Sequence, residues 1–235
     1  CSALPNVFHP DFPAHCAKMA AEVCAPMKND RDLLGYFLDN ELRWWGTGPW
    51  GGFTGVYDAV TNKPASHSAR KALEAFAAAH SDLRGDALKR GFLGHVAETY
   101  FRITTAAVKA ADPNHMILGC RFAGIGGADK VVWEAAGRYS DIITCNIYPE
   151  ADLDRNVMRW SDGRLMTNEI AKVHGWAKRP VLITEWSFPA LDSGLPCTNG
   201  AGQRFLTQKE RAAATELCAK TFLSLPYLVG YDYFM

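Results

Sequence analysis

The chain has 235 residues, 48% of them hydrophobic and 21% charged, with 25 Lys and Arg against 25 Asp and Glu. This is the composition of a globular domain with one sizeable core, and the balanced charge leaves no basic footprint for nucleic acid or an anionic membrane. No apolar run reaches the roughly 18 residues of a membrane span, and the first residues show no signal-peptide pattern. The seven cysteines form no Cys-x-x-Cys pair and no Cys/His cluster with zinc spacing, so no metal site is expected. Cys16, Cys24 and Cys218 fall in Ala-rich helical stretches and read as small buried thiols.

Short apolar runs alternate with longer helical stretches, which predicts βα units around a parallel sheet. A helix is expected over 13–24. The apolar run 33–38 has the character of a strand buried on both faces, and it ends at Asp39-Asn40-Glu41. A Trp- and Gly-rich loop over 43–57 follows, then helices over 67–79 and 88–111, the second stopped by Asp112-Pro113-Asn114. Next come a strand over 116–122, a glycine loop over 124–127, a helix over 130–136 and a strand over 141–148 closed by Pro149. A helix over 167–176 with Thr167 or Asn168 as its cap precedes the strand 180–185. A polar loop over 187–204, a helix over 208–223 and a strand over 227–235 complete the chain. A full (β/α)8 barrel takes eight units in ~250 residues, and five strands use up this chain. The expectation is therefore an α/β fold in which residues 1–235 form one incomplete barrel domain, a partial TIM (β/α)8 barrel. It would hold strands four to eight, with the first three absent. Two open sheet edges predict that this stretch is not a stable, active enzyme by itself.

Two of the strands end in a carboxylate, Glu41 and Glu185. Barrel sites lie at the C-terminal ends of the strands, so both would meet at one mouth. Cleavage of a glycosidic bond needs such a pair, one protonated and one ionised. The plain alternative for each is a solvated turn residue or an ion-pair partner. Asn40 beside Glu41 can donate to a sugar hydroxyl. Trp44, Trp45 and Trp186 lie next to the two carboxylates and could stack on sugar faces, with core packing as the alternative. Asn146 and Tyr148 end the strand before Glu185, where a phenol could hydrogen-bond that carboxylate. Arg121 ends another strand and could pair with a carboxylate. Asp39 could serve the site or tie down the loop. Asn168-Glu169 repeats the Asn-Glu pair at a helix start, where an acid favours the helix dipole, and Glu169 reads as structural. No His-Glu-x-x-His or dinucleotide pattern is present, and no cofactor is called for.

The stretches GYFLDNELRWWG and VLITEWSF resemble the fourth and seventh strand motifs of the clan-A (β/α)8 glycoside hydrolases. The resemblance implies that Glu41 is the acid/base, Glu185 the nucleophile of a retaining double displacement, and Tyr148 the tyrosine that contacts it. Within the clan, VFHPDF, LLGYFLDNEL, DPNHMILGCRFAG, DIITCNIYP, ITEWSFPALDSGLP, GAGQRFLTQKERA and LVGYDYFM are similar to the family-50 β-agarases. The final run reads Asp232-Tyr233-Phe234, where the family pattern leads one to expect His-Trp-Phe. Tyr233 then stands where the clan has a strand-eight Trp. The implied partner is a carbohydrate, a galactan such as agarose or its oligosaccharides, and export is expected by analogy with enzymes that act on an external polymer. A clan-A β-galactosidase and a non-catalytic carbohydrate-binding barrel fragment are the alternatives.

Overall fold

The computed structural model describes residues 1–197 and 201–234. Residues 198–200 of the expected polar loop, and Met235 of the expected last strand, lie outside the described residues. The first strand run is split into β1 (Gly35–Tyr36) and β2 (Asp39–Asn40), and its parallel neighbour into β3 (Met116–Ile117) and β4 (Cys120–Ala123). Gly119, with φ +78°, makes the break. Leu38 N still donates to Gly119 O (2.8 Å) and Leu118 N to Tyr36 O (2.9 Å), so the ladder continues through the interruption. β5 (Ile143–Asn146) follows, then a hairpin of β6 (Glu150–Asp152) and β7 (Val157–Arg159), then β8 (Val181–Glu185) and β9 (Leu228–Tyr231).

The main sheet has the order β2-β4-β5-β8-β9, all parallel. The order follows the chain, each strand being added beside the one before it. β5 and β8 are buried along their whole length, each apolar except for a threonine and the polar residue at its C-terminal end, Asn146 and Glu185. The run 33–38 does not share that burial. Leu34 is 57% exposed and Phe37 44%, because this run lies at the sheet edge with one neighbouring strand; the Phe37 ring meets the Arg121 guanidinium, 5.6 Å from its centroid.

The helices are α1 (Phe12–Val23), α2 (Gly55–Thr61), α3 (Ser68–Ala79), α4 (Gly85–Ala111), α5 (Lys130–Tyr139), α6 (Met166–Ala177) and α7 (Gln208–Leu223). α2 and the β6–β7 hairpin have no counterpart among the elements expected from the sequence. The hairpin turns at Asn156, with φ +55°, and is clamped by Arg159 reaching Glu150 (3.1 Å) and Asp152 (3.4 Å). α4 buries Phe92, Leu93, Val96, Ala97, Tyr100 and Phe101, one helical face by spacing. α7 starts at a capping box between Thr207 and Glu210. α6 begins at Met166, so its N-cap is Leu165, with no side-chain cap, and Thr167 and Asn168 lie inside the first turn.

The core lies between sheet and helices. Phe122 meets Trp133 with centroids 3.9 Å apart, and Trp44 stacks on Phe101 at 5.7 Å. α5 and α6 cross at Gly137, where a Cβ would lie 2.0 Å from Ala177 O. Arg179 Nε donates to Gly137 O (2.8 Å) at the same crossing. Gly137→Ala should therefore force the helices apart and lower stability by roughly 1–3 kcal/mol, read as a shifted urea midpoint. Cys24 and Cys218 are buried as expected, while Cys16 is half-buried, and all seven thiols are free. No described helix is long and apolar enough to cross a membrane.

Candidate active site

Register decides which side chains meet. Asn40 is level with Arg121, Ala123 with Asn146, and Asn146 with Glu185. A bulge at Cys145/Asn146 sets the last pairing and re-aims the strand end. The C-terminal ends of β2, β4, β5 and β8 therefore form one rim. Glu41 follows β2 with φ +53°, a left-handed conformation that a non-glycine residue seldom adopts. Strain of this kind, of order 1–3 kcal/mol, tends to persist where a site needs it.

The polar contacts across the rim are short. Glu185, 9% exposed, accepts from Arg121 Nη2 at Oε1 (2.7 Å) and from the Tyr148 hydroxyl at Oε2 (2.7 Å). Arg121 also donates to Thr184 O (3.1 Å). Burial, then the hydrogen bond to Glu185 and the charges of Glu185 and Glu41, push the Tyr148 phenol well above its usual range, so it stays a donor. Asn146 joins the two carboxylate strands. Its Nδ2 donates to Glu41 Oε1 (3.0 Å) and Asn40 Oδ1 (3.3 Å), and its Oδ1 accepts from the Thr184 hydroxyl (2.8 Å). Glu41 Oε2 faces Cys1, whose thiol lies at 3.4 Å and whose amino group lies at 3.5 Å. The result is an asymmetric pair of carboxylates. Glu185 is gripped by a guanidinium and a phenol, whereas the side chains on Glu41 are a neutral amide and a thiol, with the Cys1 amino group as its cationic neighbour at 3.5 Å.

Several expected substrate contacts lie elsewhere. Trp44 is 1% exposed and packs on Tyr100 and Phe101, so it belongs to the core and offers no face to a sugar. Trp186 is 2% exposed. It follows Glu185 directly, so strand alternation sends it to the opposite face, where it meets Phe188, Phe222 and Tyr231 edge-on. Asn146 is buried and its amide is engaged by Glu41, Asn40 and Thr184. Trp45 is half-buried beside Gly127. Asn40 and Tyr233 are exposed. Tyr233 and Tyr148 both line a cleft of about 860 Å³ that runs from the rim toward Arg211 of α7. Asp39 turns away from the rim and accepts from Tyr100 of α4 (3.2 Å). Burial raises its carboxyl, with the Asn40 N–H and the Tyr100 hydroxyl partly offsetting, so it ties strand to helix. Glu169 is held by Arg164 (2.7 Å) and Lys172, as a structural reading requires.

No family model matches the sequence. A β-agarase A of Vibrio sp. (strain JT0107) is 30% identical over 237 residues, covering 81% of this chain and 22% of that protein. The crystal structure of an agarase, AgWH50C, superposes with a TM-score of 0.79 at 28% identity over 99% of this chain and 33% of its own. The structure of BpGH50 superposes at 0.78 and 24% identity, over 97% of this chain and 48% of its own. The chain resembles the family-50 agarases. It spans about a fifth of the curated agarase and a third of AgWH50C.

Of the residues in the motifs quoted above, the two carboxylates and Tyr148 fall together on the rim, while Trp44 and Trp186, two of the three tryptophans in the clan-A stretches, turn into the core. One exposed aromatic escaped the sequence reading. Trp50, in the loop after Glu41, is 58% exposed. The glycines on which it rests, in 124–127, carry only a loop signal in the sequence.

Proposed function

We propose that the whole protein is a clan-A glycoside hydrolase that cleaves β-galactosidic linkages of agarose or its oligosaccharides. In this reading Glu185 attacks the anomeric carbon, forming a glycosyl-enzyme as the bond to the leaving oxygen breaks. Glu41 gives its proton to that oxygen, then takes one from the water that frees the sugar. The observation that carries the assignment is the asymmetry of the pair. Arg121 and Tyr148 both donate to Glu185, while the side chains that hold Glu41, those of Asn146 and Cys1, are neutral donors. The likeness to agarases supports the substrate class, and an external polymer substrate supports a place outside the cytoplasm.

The same reading makes residues 1–235 the C-terminal part of a (β/α)8 barrel. The unbroken parallel strand order supports it. Ser2 also pairs in parallel with Leu42 beside β2, with Ser2 N donating to Glu41 O (2.9 Å) and Arg43 N to Ser2 O (3.0 Å). A preceding barrel strand would run at that position. Leu34 and Phe37 at one edge and Val229 and Phe234 at the other are exposed apolar groups that closure of a barrel would cover.

Proton NMR of the first product formed from an agaro-oligosaccharide tests the chemistry. The β anomer is expected first, appearing before mutarotation. Initial release of the α anomer would mean a single displacement with water as nucleophile, and would overturn the role given to Glu185. Agarose left intact while another β-galactoside is cleaved would overturn the substrate.

A further inference from the structure

Trp50 is the one large aromatic of the 43–57 loop that stands open to solvent. Its indole lies across a bed of glycines at the end of β4. A Cβ on Gly126 would come within 2.6 Å of Cη2 and 2.8 Å of Cζ3, one on Gly124 within 3.3 Å of Cζ2, and one on Gly127 within 3.5 Å of Nε1. Gly51, with φ +79°, lets the loop close down so far that its own Cβ would sit 2.5 Å from Gly126 O. A side chain at these positions would lift the ring. Gly124 also lies beside Asn146, whose carbonyl oxygen is 3.8 Å from where its Cβ would be, and Asn146 is one of the groups that hold Glu41. One face of the indole is thus seated on backbone at the rim, and the residue remains 58% exposed.

A solvent-facing tryptophan costs hydrophobic free energy unless something covers it, and a seated indole with a free face suits the C–H face of a pyranose. We propose that Trp50 is a sugar-stacking platform of this site, binding a galactose-type ring on the leaving-group side of the scissile bond. The side follows from the loop, which springs from Glu41, the group that protonates the leaving oxygen. The inference rests on the carbohydrate-active reading above but needs binding only, not turnover.

The test uses the whole protein with agaro-oligosaccharides as probe. Trp50→Ala should raise KM, and the dissociation constant measured in a Glu185→Gln background, about tenfold, or about 1.4 kcal/mol, with kcat falling less. Trp50→Phe should restore most of the affinity. Gly126→Ala, which keeps the tryptophan but displaces its ring, should weaken binding in the same sense. Saccharide should quench tryptophan emission in the Glu185→Gln protein, and that quench should shrink when Trp50 is replaced. Unchanged affinity and quench in Trp50→Ala, or a loss confined to kcat, would overturn the platform. Saccharide binding that depends on Trp50 in a parent protein without turnover would overturn the hydrolase and uphold the platform.

Discussion

Glu185→Gln should lower kcat on agaro-oligosaccharides by at least about a thousandfold while leaving the protein folded and able to bind them. The amide has nearly the shape of the carboxylate, so the rim keeps its geometry. It lacks the charge that Arg121 and Tyr148 address, at 2.7 Å each. The amide nitrogen would face one of those two donors, and that donor loses its acceptor at roughly 1–3 kcal/mol. A small fall in stability should therefore accompany the large fall in rate. The nucleophile and the acid/base are separated by a second variant and a second reagent. In Glu185→Ala, azide can enter the vacated space and attack the anomeric carbon, with the proton on Glu41 passing to the leaving oxygen. The product is an α-glycosyl azide. In Glu41→Ala, azide should instead open the glycosyl-enzyme on Glu185 and give the β-glycosyl azide. The reverse pattern would exchange the roles of the two residues, and full activity in either alanine variant would remove that residue from the chemistry.

The carboxylates could be read from the sequence because each directly follows a short apolar run, and a strand end fixes both the height and the mouth of a side chain. Their partners were harder to read. Arg121, Asn146 and Glu185 meet through strand register and a bulge at Asn146, and pairing between segments dozens of residues apart leaves no local mark. The tryptophans went wrong for a geometric reason. Trp186 neighbours Glu185 in sequence, and in a strand that adjacency means opposite faces. Trp44 lies in a turn that folds back against α4, and loop composition carries no information about burial. Trp50 resembled its neighbours in sequence. Only its match to a glycine stretch more than seventy residues later sets it apart, and that match is tertiary. The interrupted first strand has the same origin: Leu34 and Phe37 look like core residues, but which face a strand covers depends on what lies beside it.

Asp112→Ala should cost about 3–5 kcal/mol of stability. Asp112 opens the Asp-Pro-Asn-His turn after α4 and is fully buried. Its Oδ2 accepts from the Tyr36 hydroxyl and from His115 Nδ1, both at 2.6 Å, and its Oδ1 accepts from Asn114 N (2.8 Å) and His115 N (3.2 Å). His115 Nε2 reaches Asp30 O at 2.7 Å. One carboxylate thereby ties the end of α4 to β1 and to the segment before it, and alanine would strand several buried donors at once. Burial alone would raise the Asp112 carboxyl. The Tyr36 and His115 hydrogen bonds outweigh it and bring the pKa down to about 2, while the bond to Asp112 raises that of His115. The signs set a window. The Asp112 contribution is complete above its unfolded value near 3.8 and is lost as pH falls toward 2. The His115 contribution is complete below its unfolded value of 6.5 and is lost as pH rises through the higher folded value. Stability from this network should therefore peak between about pH 4 and 6.5. Asp112→Asn, which keeps the size and loses the charge, should flatten both limbs of that profile. Urea midpoints of the parent and Asp112→Asn proteins across pH 3–8 measure the effect. Parallel profiles would show that the carboxylate acts by shape alone, since a neutral amide cannot reproduce a charge-dependent slope.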